Sequence, residues 1–249
     1  MTWPPDPSSH TDRPGTVIAE DRWRDLLDQA RAIGARTAAS SSHGQGASRR
    51  AARSGAEASL DRTGNALAGL SAPIRQFQAV LLDLGALRHV EAWIGPEGDT
   101  LAVHRPDGVH VSATAHAALP SALAAVLDLG PRPRVDPGPQ RVPSQLLRAL
   151  YVGDGELADS LLRRTIGRSS AAALAAGVRD GLWRLSLLSD SGPVDGRWDM
   201  RDHLMTLSVP ACLCLLTPED GAPDIALEPV TSAAVWAAIT PWLRTERAG

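Results

Sequence analysis

The sequence predicts an α+β fold: a central antiparallel sheet with helices, organised as two quasi-symmetric lobes. Three observations predict it. Apolar residues alternate with period two over 74–113 and again over 182–228, and each region is followed by an alanine-rich segment with helical spacing. Within the first region, Arg105-Pro106-Asp107-Gly108 separates two alternating runs, with proline pre-setting φ and glycine accepting positive φ, which marks a hairpin. The third is an internal repeat: residues 109–127 align without a gap on residues 225–243, at a constant offset of 116.

The elements follow in order along the chain. Residues 1–15 carry four prolines among polar residues, too little apolar surface to offset the entropy of ordering, and read as a disordered tail. Trp23, Leu26, Leu27, Ala30 and Ile33 recur at helical spacing behind Glu20, Asp21 and Asp25, whose charges suit a helix start. The spacing predicts an amphipathic helix over 17–33 within an N-terminal segment 16–36, with Gly34 as its stop. Residues 37–59 are rich in Ser, Gly, Ala and Arg and read as a low-complexity linker, either flexible or a poorly ordered helix. Its Arg49, Arg50 and Arg53 read as a solvated cluster and not as a nucleic-acid patch.

A short helical piece is expected near 61–70, then strands over 74–84, 90–94, 100–105 and 109–113, and a helix over 119–129 that tolerates Pro120 in its first turn. The five prolines of 130–143 read as an extended connection between lobes 60–129 and 143–243, which together make the main α+β unit, 60–243. Helices are expected at 143–150, 156–166 and 169–178, then strands at 182–188, 197–209, 211–217 and 225–228, and a closing helix at 231–243 before a tail, 244–249.

In the repeat, Val109 falls on Ile225, Val111 on Leu227, Leu119 on Val235, Leu123 on Ile239 and Leu127 on Leu243. Each copy reads as strand, turn, strand, helix, and agreement across strand, turn and helix stripe favours real pseudo-symmetry over coincidence in an alanine-rich chain.

Composition narrows the function. With 249 residues, 43% of them hydrophobic, the chain can bury a sizeable core. A net charge of −3 offers no general attraction to phosphate backbones or anionic lipid, so neither nucleic acid nor membrane is an expected partner. No apolar run approaches the roughly 18 residues of a membrane helix, and the start of the chain has neither a basic region nor an apolar stretch; the expected location is cytoplasmic. Every one of the 25 basic residues is arginine, which reads as the coding bias of a high-GC, actinobacterial type of genome.

The order of these segments resembles the EspG family of type VII (ESX) secretion chaperones. The resemblance runs over 61–243 and is carried by "ALAGLSAP" before the first strand, the hairpin "DTLAVHRPDGVHV", the helix "LPSALAAVLDL", "VPSQLLRAL" after the proline connection, and the closing unit "CLCLLTPEDGAPDIALEPVTSAAVWAAITPWL". The sequence departs from the family pattern at 37–59. The resemblance implies a cytosolic chaperone that binds a helical PE/PPE-type secretion substrate and shields its apolar tip; a monomer or homodimer is expected. It transfers no contact residue, because the family's contacts form no motif that can be matched position by position.

Catalytic signatures are absent: there is no Gly-x-Ser-x-Gly elbow, Gly-rich phosphate loop or His-Glu-x-x-His, and no catalytic residue, cofactor or metal is assigned. A three-residue loop of Pro106, Asp107 and Gly108 would set His104 opposite His110, with His89 and Glu91 nearby, a face on which a small-molecule or metal-dependent enzyme is the alternative reading. Asp190, Asp195, Asp199, Asp202 and His203 read as a solvated hairpin in preference to an acid-base site. Cys212 and Cys214, two apart in an apolar strand, read as buried small hydrophobes. For partner binding the local signal is Trp198 between Arg197 and Asp199, after the Asp195-Gly196 turn, together with Trp183 and Arg184 on the preceding strand, of which one is expected to face the core. A protein-binding adaptor or immunity-type protein on the same fold is the further alternative.

Overall fold

A computed structural model describes residues 16–42, 66–83, 86–127, 129, 130, 132, 139–166, 168–195, 197–218 and 223–244. The expected tail 1–15, the linker residues 43–59 and the terminal 245–249 lie outside them.

Among the described residues, ten strands form one antiparallel sheet. In chain order they are β1 (Thr16–Ile18), β2 (Arg75–Asp83), β3 (Ala86–Gly95), β4 (Gly98–Arg105), β5 (Gly108–Thr114), β6 (Gln140–Pro143), β7 (Arg184–Val194), β8 (Arg197–Val209), β9 (Cys212–Pro218) and β10 (Asp224–Val230). The helices are α1 (Glu20–Ser42), α2 (Ala68–Ser71), α3 (Leu119–Leu127), α4 (Gln145–Val152), α5 (Gly155–Thr165), α6 (Arg168–Arg179) and α7 (Ser232–Ile239), the last continued by a 3-10 turn, Thr240–Leu243. Across the sheet the order is β1-β5-β4-β3-β2-β7-β8-β9-β10-β6. The order reads alike from either side: a four-strand meander runs from the central β2–β7 pair outward, and a short strand from earlier in the chain closes each edge.

The repeat occupies equivalent places in this arrangement. Leu119, Leu123 and Leu127 of the first copy and Val235, Ile239 and Leu243 of the second are all buried in one central core, where α3 and α7 cover the same face of the sheet. That face presents Phe77, Ala79, Leu81, Val90, Ala92, Ile94, Leu188 and Leu213. Because side chains alternate along a strand, the intervening residues point to the other face. There, Val109 and Val111 lie under α1, while Ile225 and Leu227 lie under α4, α5 and α6. The turn of the second copy falls outside the described residues.

The helices follow local chemistry. Asp154 caps α5, its carboxylate accepting from the Leu157 amide at 3.0 Å, and Thr231 caps α7, its hydroxyl accepting from Ala234 N–H at 3.1 Å. Helix α4 ends where Gly153 takes φ +76°, a left-handed conformation open to glycine without steric cost.

Four expectations need correction. Helix α1 does not stop at Gly34 but continues to Ser42, taking in the first residues assigned to the linker. Gly34 is there for a close approach: a Cβ on it would lie 2.6 Å from Cζ3 of Trp198 and 2.8 Å from the carbonyl oxygen of Pro73. Residues 16–18, expected partly within that helix, instead pair as β1 with β5, a use of three residues too short for periodicity to register. Residues 140–143, expected as connection, pair as β6 with β10. Finally, the β4–β5 turn is one residue tighter than expected. Arg105 pairs with Gly108, so His104 sits opposite Val109, and His110 opposite Val103. A one-residue change in register flips faces, and His104 and His110 therefore project from opposite sides of the sheet.

Candidate functional site

Helix α1 and helices α4 to α6 cover the same face of the sheet but leave a strip between them. Under α1 the sheet residues Gln76, Trp93 and Ser191 are buried; under α4–α6, Leu207, Cys214 and Leu216 are buried. Between them lie Gln78, Val80, His89, Ser189 and Met205, partly exposed, with Leu187, Leu87 and His203 exposed. The strands themselves are central. Their alternate residues Ala79, Leu81 and Leu188 on the opposite face are at most 1% exposed, whereas Leu187 is 39% and Leu87 64% exposed. Among the described residues, nothing covers this mixed apolar and polar floor.

One wall of the strip is fixed by a buried carboxylate. Glu91 on β3 is 1% exposed and accepts from four donors: Trp23 Nε1 at 3.3 Å and His104 Nε2 at 2.9 Å on Oε1, Gln76 Nε2 at 2.9 Å and Trp93 Nε1 at 2.8 Å on Oε2. Trp23 belongs to α1, so the carboxylate ties the helix to the sheet. Burial pushes Glu91 up, but the His104 and indole hydrogen bonds and the nearby His89 outweigh it and hold the carboxyl below its ordinary range. His104 reaches α1 by its other nitrogen, Nδ1 lying 3.2 Å from Glu20 Oε2. Its burial favours the neutral ring, yet the two carboxylates raise it above the ordinary histidine value. His89 stacks on His104, ring centroids 4.3 Å apart, and burial holds it below the ordinary value.

Further along α1, Trp93 is clasped from two sides. The Trp198 indole stacks on it, and the Arg31 guanidinium lies 5.7 Å from its ring centroid. Trp198 is brought there by a bulge: Asp190 pairs with Asp202 but Ser191 pairs with Met200, leaving Arg201 as the extra residue. Arg201 folds back over Gly192, its Nη2 donating to Pro193 O at 2.8 Å.

The residues expected at a partner surface separate. Trp183 is 4% exposed in the core under α4–α6, and Arg184 is 6% exposed, its Nη2 3.1 Å from Asp83 Oδ2. Both are buried, where one was expected to face outward. Trp198 is half-buried on Trp93, and Arg197 is exposed at the tip of the β7–β8 hairpin. That tip turns through Asp195, whose φ of +48° is a left-handed value aspartate tolerates. The acidic cluster does not converge: alternation sends His203 to the face opposite Asp202 and Asp190. Cys212 and Cys214 are buried free thiols, Sγ atoms 4.0 Å apart, facing α4–α6. Sequence reasoning placed Glu91 near the histidines but missed its partners. The signal available was the run of His89, Glu91 and Trp93 at every second position of β3, alternating with the apolar Val90 and Ala92.

The fold and this strip define an α+β protein that exposes part of a central sheet between two helical walls. No helix among the described residues is long and apolar enough to cross a membrane. No family model matches the sequence, and no curated protein matches it. Among solved structures, the chain is similar to the Mycobacterium tuberculosis type VII secretion system chaperone EspG5, solved in complex with the PE25-PPE41 dimer. The TM-score is 0.55 at 13% identity, covering 95% of this chain and 98% of that one. The resemblance drawn from segment order is thus met at the level of the fold.

Proposed function

We propose that this protein is a secretion chaperone that acts in the cytoplasm, binding a helical PE/PPE-type substrate and keeping it soluble for export by a type VII system. The observation that carries the reading is the likeness of fold to EspG5 along nearly the whole chain, that chaperone being bound to a PE–PPE dimer. The uncovered strip supports it. An amphipathic helical tip laid between α1 and α4–α6 would bury Leu187, Leu87 and Val80 and meet polar partners in Gln78, Ser189 and His203. Trp198 supports the α1 wall from within, while Arg197, its neighbour on β8, projects by alternation from the opposite face and takes no part in the strip. The His104–His110 pair on which the enzyme alternative was drawn does not form, since the two rings lie on opposite faces.

The test is co-expression with helical PE/PPE-type pairs encoded in the same genome, followed by size-exclusion chromatography. A stoichiometric complex with one pair, in which the substrate stays soluble only alongside the chaperone, is the expected result. Substrates that stay insoluble and unbound for every pair would overturn the proposal.

A further inference from the structure

We propose that His89, Glu91 and His104 form a binding site for a divalent transition-metal cation of the zinc class. The three ligand atoms, one from each residue, lie within 4.8 Å of one another. Glu91 Oε1 is the common vertex, 2.9 Å from His104 Nε2 and 3.8 Å from His89 Nδ1. Ligand atoms on one tetrahedral zinc ion, each about 2.0–2.1 Å from it, stand roughly 3.3 Å apart, and the two separations straddle that value. Two imidazoles and one carboxylate are a donor set suited to zinc and leave a fourth position for water.

The surroundings are those of a metal centre beyond the ligands themselves. A ligating histidine normally donates its second N–H to a carboxylate, which fixes the ring; His104 Nδ1 meets Glu20 Oε2 at 3.2 Å in that manner. A ligating carboxylate is normally held by hydrogen bonds, and Oε2 of Glu91 is held by Gln76 and Trp93. His89 lies at the solvent side, 30% exposed, and is the ligand that closes on an ion arriving through the open strip. On binding, the proton shared between His104 Nε2 and Glu91 passes to solvent and the nitrogen lone pair takes the ion. The Nδ1 proton stays on the ring and is donated to Glu20 Oε2. His110, which the sequence pairs with His104, faces away and takes no part.

The experiment titrates zinc ion into the full chain after chelator treatment and dialysis, by calorimetry, with cobalt(II) as a visible-absorption probe of a four-coordinate site. The expected result is saturable binding at one equivalent. His89→Ala and His104→Ala each weaken it at least a hundredfold, Glu20→Ala weakens it about tenfold or more, and His110→Ala leaves it unchanged. His89→Ala is decisive, because that ring lies at the rim and its loss spares the Glu91 hydrogen bonds. Absence of saturable binding, or binding that survives His89→Ala within threefold, as adventitious capture by His10 or His43 would, overturns the proposal.

Discussion

The indole of Trp198 on β8 lies over that of Trp93 on β3, ring centroids 5.4 Å apart and planes 29° from parallel, although two strands, β2 and β7, lie between theirs in the sheet. Helix α1 is seated against this pair: Trp23, Leu27 and Ala30 are buried along one stripe and Gly34 continues it onto the Trp198 ring. The contact joins the first half of the molecule to the second on the face that carries the open strip.

Gly34→Ala is expected to destabilise the protein, although alanine is the better helix former. The gain in propensity is about 1 kcal/mol, whereas forcing a methyl into a filled contact costs about 1–3 kcal/mol. In a Trp198→Ala background the same substitution should cost less, but not nothing, because Pro73 O still opposes the new methyl. Urea denaturation of the four-member cycle measures this coupling; additive effects would show that Gly34 and Trp198 do not share a contact.

Glu91→Gln tests the buried carboxylate without changing its shape. An amide puts two donors among Trp23, Gln76, Trp93 and His104, all of which already donate. The expected loss is about 2–4 kcal/mol, the cost of leaving buried donors unmatched. Proteolysis should then cleave α1 first, since that helix is held by Trp23 and, through His104, by Glu20.

Asp190 gives the fold a pH dependence. Burial raises its carboxyl to about 6, Arg75 at 3.4 Å only partly offsetting the cost, and its Oδ1 has no hydrogen-bond partner among the described residues. A folded value above the unfolded one means that the folded state holds the proton more tightly. That contribution is fully present below the ordinary value of 3.8 and is lost as the pH rises through about 6. Asp190→Asn should therefore gain stability relative to wild type at pH 8 and less at pH 4.5, by a difference on the order of 2 kcal/mol at 1.4 kcal/mol per unit. Equal differences at both pH values would show that Asp190 does not titrate in this range.

Leu187→Glu separates binding from folding. The side chain is 39% exposed and its loss should change stability by about 0.5–1 kcal/mol. Complex formation with the proposed helical substrate should fall by at least tenfold, whereas Tyr151→Glu, 72% exposed on α4, serves as a comparison for an apolar residue on the neighbouring helical wall. Unchanged affinity in Leu187→Glu would move the docking site off the strip.

Much of the fold was legible because long alternating runs and helix stripes state their own period. Strand β8 was read at 197–209, as found, and the repeat located two copies whose helix stripes meet in one core. What escaped depends on single residues. One fewer residue in the β4–β5 turn reversed the face of His104 relative to His110, and the bulge at Arg201 placed Trp198 on the α1 side. Neither event alters composition or periodicity. Gly34 read as a stop because glycine commonly ends helices; its role in contact with a residue more than 160 positions later has no local trace. Arg184 gave no sign of burial because its partner, Asp83, is also far away in sequence.

The two outermost strands have a consequence of their own. A ten-rung ladder with long free margins would invite further copies to add on indefinitely. Among the described residues each margin is three or four residues long, and one of them ends in Pro143, which has no amide hydrogen to offer. The described margins therefore offer little backbone for edge-to-edge zipping, while the middle of the sheet stays open on one face.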